Sequence, residues 1–381
     1  MSEQIRTLLH VFSTFALGGP QMRFIQLANH FGQRYRHLIV AMDGVVTAFN
    51  GLAADVDAQL LTVPNRRGKT WMNVRAFRRV LCKLQPDLLV TSNWGSIEWA
   101  AANLDRRVPH LHMEDGFGSE EAQSQFPRRV WARRLTLRHS TVVVPSLTLL
   151  RIARDRWRLP NECTVYVPNG INCERFHVTR DRNLLADFGI DVEVPVIGTV
   201  CTLRPEKNLH RLIDAFGDVL RERPAQLVIV GDGSERASLQ THAVQRGVAD
   251  RVIFTGSCPT PEKLLPAFSV FAISSDTEQM PLAVLEAMAA GLALAATSVG
   301  DIRYMLAEEN HPFLVDRDAG RLAAAISMLL NDPARAATVG AANARRAAER
   351  FDQSLMLAAY QDLFDGSVSL FRSDVADLKP R

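Results

Sequence analysis

The 381-residue sequence has only five cysteines, an odd number at wide spacings: Cys82, Cys163, Cys173, Cys201 and Cys258. None forms a Cys-x-x-Cys pair, so neither a disulfide framework nor a cysteine-based zinc site is expected. Charge of one sign is also in short supply. The net charge is +3, which offers no global basic excess for nucleic acid. No run approaches the roughly 20 apolar residues of a membrane-spanning helix. Met1–His10 lacks a basic region followed by an apolar core, so no secretory signal is read there. Reduced thiols and the missing spans point to a cytoplasmic protein whose membrane association, if any, is peripheral, on the inner face of the cell membrane.

What is present is a globular composition. Hydrophobic residues make up 47% of the chain, enough to bury a core in each domain, and the length suggests two or three domains at about 150 residues apiece. The dominant rhythm is a short run rich in Val, Ile and Leu, then a turn, then an amphipathic helix. Runs without alternation read as strands covered on both faces, and a strand–helix–strand succession implies a parallel sheet.

In the first half, strands are expected at Ile5–Thr14, His37–Met42, Asp87–Ser92, Val108–His112, Thr141–Pro145 and Thr164–Val167. Helices are expected at Pro20–Phe31, Trp71–Leu84, Phe126–Leu137 and Ser146–Trp157. Pro168-Asn169-Gly170 then interrupts the rhythm with turn chemistry, and the polar stretch Asn172–Arg182 reads as a linker. The rhythm restarts with strands at Val194–Val200, Gln226–Val230, Arg251–Thr255, Val270–Ser274, Leu292–Thr297 and Phe313–Val315. Helices follow at Leu209–Leu220, Ser234–Gln245, Leu282–Ala290, Ala319–Leu330, Ala334–Glu349 and Gln353–Phe364. The fold class is therefore α/β: one Rossmann-like domain over residues 1–170, a second over 171–365 and a loose tail over 366–381. Ligands of open parallel sheets sit beyond the carboxyl ends of strands. Two such domains facing each other make an interdomain cleft, so the chemistry is sought in loops that follow strands.

After the expected strand ending at Ser274 comes Ser275-Asp276-Thr277-Glu278-Gln279-Met280, then a helix that starts near Pro281, contains Leu282 and stops at Gly291. Free backbone N–H groups around Met280–Val284 would form an anion site suited to a diphosphate. Glu278 and Glu286 can accept hydrogen bonds from sugar hydroxyls; spacing alone favours reading them as a helix-start charge and a partly exposed helical glutamate. A second loop, Thr202-Leu203-Arg204-Pro205-Glu206-Lys207-Asn208, opens a helix, and Lys207 there can neutralise a leaving phosphate or remain a solvated lysine. Gly18-Gly19 lies between a strand and a helix and allows a close backbone approach. His110 and His112 share one side of a strand that runs into Glu114-Asp115-Gly116. Without a third firm ligand no metal is expected there, and either histidine reads as a cleft residue or a structural one. Asp55-Val56-Asp57 has a manganese-binding spacing but precedes an ordinary apolar run, and reads as surface.

The two glutamates seven residues apart, followed by Ala-Met-Ala-Ala-Gly, resemble the signature of family 4 (group 1) of the retaining glycosyltransferases, enzymes of the GT-B fold. The resemblance extends to the Arg204–Asn208 loop, the Gly18-Gly19 turn and Pro168-Asn169-Gly170-Ile171, nearly the whole chain. It implies transfer of a sugar from a UDP- or GDP-sugar to a glycan or lipid-linked acceptor, in cell-surface polysaccharide biosynthesis, without a metal or other cofactor. It places Glu278 at the donor sugar, Glu286 at the nucleotide ribose and Lys207 at the diphosphate. His112 would face the sugar, with His110 as alternate. The loop Gly231-Asp232-Gly233 would line the nucleotide, with Ser257 near its base. Two positions depart from the pattern. The family's Glu-Gly-Phe-Gly is here Glu278-Gln279-Met280-Pro281, and the diphosphate-clamping arginine is Thr202, with Arg204 two residues later as its substitute. These departures keep open a catalytically inactive nucleotide-sugar-binding protein. A Rossmann oxidoreductase is disfavoured because Arg236 stands where the third glycine of a dinucleotide fingerprint belongs.

Arginines 128, 129, 133, 134 and 138 crowd one short helix with Trp131. Such a helix can lie on anionic headgroups or be a solvated face. In the family, first-domain basic helices often bind membranes carrying lipid-linked acceptors, so Arg128–Arg138 is the expected membrane contact.

Overall fold

A computed structural model describes residues 5–117, 121 and 124–367. The chain forms two compact units, one from the chain up to Pro168 together with the chain from Met356 onward, the other from Asn169 to Leu355.

The first unit is built on strands β1 (Arg6–Phe12), β2 (Tyr35–Ala41), β3 (Ala58–Leu60), β4 (Leu88–Ser92), β5 (His110–Met113), β6 (Thr141–Val144) and β7 (Thr164–Tyr166). All pair in parallel, in the order β3-β2-β1-β4-β5-β6-β7. The second holds β8 (Val196–Val200), β9 (Gln226–Val230), β10 (Val252–Gly256), β11 (Val270–Ile273), β12 (Leu294–Thr297) and β13 (Leu314–Val315), in the order β10-β9-β8-β11-β12-β13. Counted from its own first strand this is again 3-2-1-4-5-6, the doubly wound arrangement whose topological switch point lies between the first and fourth strands.

Both faces of the second sheet are buried, because side chains alternate across a strand. Val228, Val230, Phe271 and Ile273 join the core on one face. Leu227, Ile229, Val270 and Ala272 join that on the other. This is why these strands read as unbroken apolar runs.

Several features differ from expectation, among them the short helices Ile97–Ala102, Arg182–Asp187 and Ile302–Met305, which carry too few turns to show an apolar period. β3 was not foreseen; it is a three-residue edge strand, largely exposed, and carries too little apolar pattern to read. The expected helix Ser146–Trp157 is an α-helix only over Leu147–Arg151 and widens into a π-turn over Ile152–Arg156. The last helix, Gln353–Asp365, leaves the second unit. From Met356 its apolar face (Met356, Tyr360, Leu363, Phe364) packs with Leu8, Leu27 and Tyr35 of the first unit. Of the expected tail, Gly366 and Ser367 are described, and the remainder lies outside the described residues. Among the described residues no helix is long and apolar enough to cross a membrane.

Candidate active site

Within the second unit, two loops leave the carboxyl ends of β8 and β11, the strands that flank the switch point. The first turns once over Pro205–Lys207 and then places Asn208 in the left-handed region, φ 42°. From there the Asn208 side chain caps the helix Leu209–Glu222 by accepting from the Arg211 amide. The second loop runs from Ser274 into the helix Leu282–Ala289, with Pro281 just ahead of the first helical residue rather than in it.

The two loops are stitched together. The Asp276 amide donates to the Glu206 carbonyl (2.9 Å), and the Ser274 hydroxyl donates to the Lys207 carbonyl (3.0 Å). Arg211 donates to both the Ser274 carbonyl (2.6 Å) and the Asp276 carboxylate (2.7 Å), whose other oxygen accepts from Asn208 Nδ2 (3.0 Å). This brace sets Lys207 against Glu278: the ammonium donates to Oε1 at 2.6 Å, and the Ser275 hydroxyl donates to the same oxygen at 2.7 Å. The lysine side chain is 21% exposed and the glutamate 8%. Beside them lies a cavity of about 20 Å³ that Thr199, Cys201 and Pro281 also line, room for about one water.

Two glycines permit this geometry. Gly231 has φ 136°, and a Cβ there would lie 1.9 Å from the Cys201 carbonyl oxygen, so only glycine lets the lysine loop run alongside. Gly300 has φ 54°, and a Cβ would lie 1.9 Å from the Glu278 carbonyl oxygen. Its neighbour Asp301 donates its amide to the Gln279 carbonyl at 3.1 Å.

The other expected residues of this unit are arranged unevenly. Met280 is buried and contributes backbone, because its side chain joins the core and its carbonyl accepts from Asn169 Nδ2 at 3.1 Å. Leu282 opens the helix, where the first amides have no intrahelical partner. Arg204 is 63% exposed, its guanidinium 4.0 Å from the Glu206 carboxylate. Ser257 is exposed just past β10. Glu286 sits one helical stretch beyond Glu278. Burial pushes its carboxyl up to about 7; Glu262 adds to the rise and Arg175 opposes it. Arg175 and Glu262, themselves paired at 2.8 Å, lie 87 residues apart in sequence, so nothing local marks them. Ser275, Asp276 and Asn208 do stand beside the motif residues and were legible as neighbours, although their bonds were not.

In the first unit, His112, expected to face the sugar, lies inside the strand layer. Its ring is wholly buried, with Nδ1 2.8 Å from Thr91 Oγ1 and Nε2 3.6 Å from Glu114. The same Thr91 oxygen holds His110 Nε2 at 2.8 Å, and Ser140 holds His110 Nδ1 at 2.7 Å. Burial first, then His112, drives His110 down to about 3. The two histidines thus share one polar chain through Thr91, with His112 buried and His110 partly exposed. Gly18 is extended, and a Cβ there would meet only the flexible Gln21 side chain, while Gly19 has open space around it. Neither glycine is sterically required.

In the expected membrane helix, Arg128–Arg138, internal partners take up part of the charge. Arg133 is buried against Glu114 (3.0 Å) and stacked on Trp157, Arg129 pairs with Glu121 (2.8 Å), and Arg134 donates to the carbonyls of Trp157 and Arg156. Internal partners hold those three, leaving Arg128 and Arg138 exposed. Among the described residues no group of three or more His, Cys, Asp or Glu is placed to hold a metal.

Comparison with known proteins bears on this site. The family model for glycosyl transferases group 1 matches residues 181–346, and that for glycosyltransferase family 4 matches residues 17–175. Curated relatives include N-acetyl-alpha-D-glucosaminyl L-malate synthase of Bacillus anthracis, 26% identical over 207 residues and 54% of each chain. Another is the GDP-mannose-dependent alpha-(1-6)-phosphatidylinositol monomannoside mannosyltransferase of Mycolicibacterium smegmatis, 29% identical over 222 residues, 54% of this chain and 57% of the other. The chain thus spans about half the length of the curated relatives it matches. Among solved structures, Anabaena HepE in complex with UDP aligns with TM-score 0.81 at 21% identity, over 95% of this chain and 100% of the other. A glycosyltransferase from Rickettsia africae aligns with TM-score 0.81 at 16% identity, over 96% and 99%. These two show a shared fold.

Proposed function

The chain belongs to the group 1, family 4 glycosyltransferases of the GT-B fold, and on that premise we propose that it is a retaining enzyme moving a sugar from a UDP- or GDP-sugar to a glycan or lipid-linked acceptor. The observation that carries the proposal is the Lys207–Glu278 pair, held at the switch point by the brace between the two loops. The structural relative solved with UDP, and the relative named as GDP-mannose-dependent, support a nucleotide-sugar donor.

Transfer breaks the anomeric C–O bond, so negative charge grows on the leaving diphosphate while the sugar becomes oxocarbenium-like. The Lys207 ammonium and the first amides of the Leu282–Ala289 helix are suited to the developing charge. To reach a phosphate, Lys207 shares or gives up its bond to Glu278, which then turns to the sugar hydroxyls. Arg204, exposed and weakly paired, can swing to the same phosphate. Glu286 serves the ribose in its ionised form. We place the work at the inner face of the cell membrane, in surface glycan assembly, as the family reading suggests.

A panel of UDP-, GDP- and ADP-sugars, read by thermal shift and by transfer or donor hydrolysis, tests the proposal. Binding with turnover supports it. Binding without turnover across acceptors indicates a non-catalytic nucleotide-sugar-binding protein, and hydride transfer to a nicotinamide would indicate an oxidoreductase.

A further inference from the structure

The loop and helix that connect β3 to β4 carry positive charge with little to balance it. From Ala58 to Pro86 the chain has no Asp or Glu, but it has Arg66, Arg67 and Lys69 ahead of the helix Thr70–Leu84 and Arg75, Arg78, Arg79 and Lys83 on it. All seven are exposed. Among the described residues only Arg78 of these has a carboxylate partner, Asp105 at 2.6 Å. The four helical cations and Cys82 line one open groove of about 490 Å³, because steps of three and four residues return to one helix face. Asn73, Phe77 and Leu81 bury the other face.

The loop is held at the carboxyl end of the first sheet. Asn73 is 3% exposed. Its Nδ2 lies 2.8 Å from the Glu98 carboxylate, 3.0 Å from the Arg66 carbonyl and 3.1 Å from Asn65 Oδ1, and its Oδ1 accepts from the Arg66 amide at 2.9 Å. Asn65 in turn donates to the Met42 carbonyl at 3.1 Å. Met42 follows β2, and Glu98 lies on the helix Ile97–Ala102 that follows β4. β1 stands between those two strands, so the loop is anchored on both sides of the first sheet's switch point, where ligands of such sheets sit. The helix then runs back toward the amino ends, as a crossover between parallel strands does. From Trp71 to Lys83 it covers about 18 Å at 1.5 Å per residue. The groove is therefore a charged track that leads away from the switch point.

At the head of this track Trp71 is 82% exposed and Met72 49%. A pyranose ring presents a face of C–H groups, which the negative face of an indole attracts. Carboxylate or phosphate groups on successive sugars match arginine forks. A lipid layer would meet no exposed large apolar side chain between Arg75 and Lys83. Single-stranded nucleic acid stacks successive bases on several rings and would find one indole here.

We propose that the Arg66–Lys83 face binds an acidic glycan, a chain of sugars bearing carboxylate or phosphate groups, with one ring on Trp71 and the following rings along the groove. The proposal rests on the transfer reading for the role of that glycan as acceptor, and it gives the acceptor its charge. The binding itself uses no residue of the Lys207–Glu278 site.

The test titrates the full-length protein with oligogalacturonates of increasing length, and with neutral malto-oligosaccharides of the same lengths, by calorimetry. Affinity is expected to rise with length in the acidic series only. It should fall between about 0.1 and about 1 M salt, as the screening length shortens from about 10 to about 3 Å. R75E/R79E changes the charge by four and should weaken binding about tenfold or more. R66E/R67E, outside the helix, should do the same, and it decides the matter if the helix variant does not fold. W71S should weaken binding about fivefold. Thermal shifts with UDP and GDP on the same protein keep the two readings apart. Lost glycan binding with nucleotide binding intact removes this proposal alone, and the reverse removes the transfer reading alone. Equal affinity for the two series overturns the proposal, as does an absence of binding to either. Unchanged affinity in both charge-reversal variants overturns it too, as does loss through R128E/R138E alone. Tighter binding to phosphatidylglycerol vesicles or to a single-stranded oligonucleotide than to the longest oligogalacturonate, at equal salt, also overturns it and gives the face to a lipid layer or to nucleic acid.

Discussion

Replacing Lys207 with alanine isolates the interaction on which the proposed chemistry turns. In the free protein the ammonium lies 2.6 Å from Glu278 Oε1, with Ser275 on the same oxygen. Two unit charges about 4 Å apart attract by about 4 kcal/mol at an effective dielectric of 20, and a preorganised donor aimed at a developing oxyanion is worth about 100- to 1000-fold in kcat. With one-fifth of the lysine side chain exposed, water screens part of that field. The lower figure applies, about a hundredfold or 2.7 kcal/mol. K207A should therefore lower kcat about 100-fold with a smaller change in KM, because the diphosphate charge grows only as the bond breaks. The assay is steady-state transfer, or donor hydrolysis, with the donor chosen by the panel. E278Q removes the other half of the pair. If the two act as a unit, K207A/E278Q should be little worse than the worse single variant. A K207A enzyme within about threefold of wild type in kcat would refute the reasoning, since no group with the lysine's field would then be missing from the leaving-group side.

Further expectations concern other parts of the molecule. The Glu286 carboxyl, pushed up to about 7 chiefly by burial, should make UDP or GDP affinity rise with pH through about 7, and E286Q should flatten that profile; calorimetry across pH checks both. Because its folded value lies above the ordinary 4.5, Glu286 adds stability at low pH that is lost as pH rises through about 7. In the first unit His37 is lowered to about 4 and His110 to about 3 by burial. Each should cost up to about 1.4 kcal/mol of stability per pH unit as pH falls below about 6.5, read as a falling denaturant midpoint from pH 6.5 to 4. G300A should lower both Tm and turnover, since the methyl group meets the Glu278 carbonyl and the left-handed backbone costs about 1–2 kcal/mol for an L residue; turnover unchanged at a lower Tm would separate Gly300 from the site.

Sequence alone determined what is periodic or local. Buried parallel strands announce themselves as apolar runs because both sheet faces are covered, and β8, β9 and β11 fall where those runs stand. Glu278, Glu286 and Lys207 each sit in a loop or helix just past such a strand, and the family resemblance of their motifs is what singles them out. What depended on distant parts of the chain meeting was not legible. Residue type cannot say whether a strand-end histidine faces solvent or the core; the neighbouring strand's Thr91 decided that for His112. Nor can a cluster of arginines show which of them already have partners: within residues 128–138, Glu114 and Glu121 take up two of the cations. The Asp276–Arg211–Asn208 brace, the Arg175–Glu262 pair beside Glu286 and the return of the last helix to the first unit all join residues far apart in sequence. Tertiary structure fixed these, because hydrogen bonds and apolar contacts form wherever the folded chain brings partners within reach, and no local pattern records that meeting.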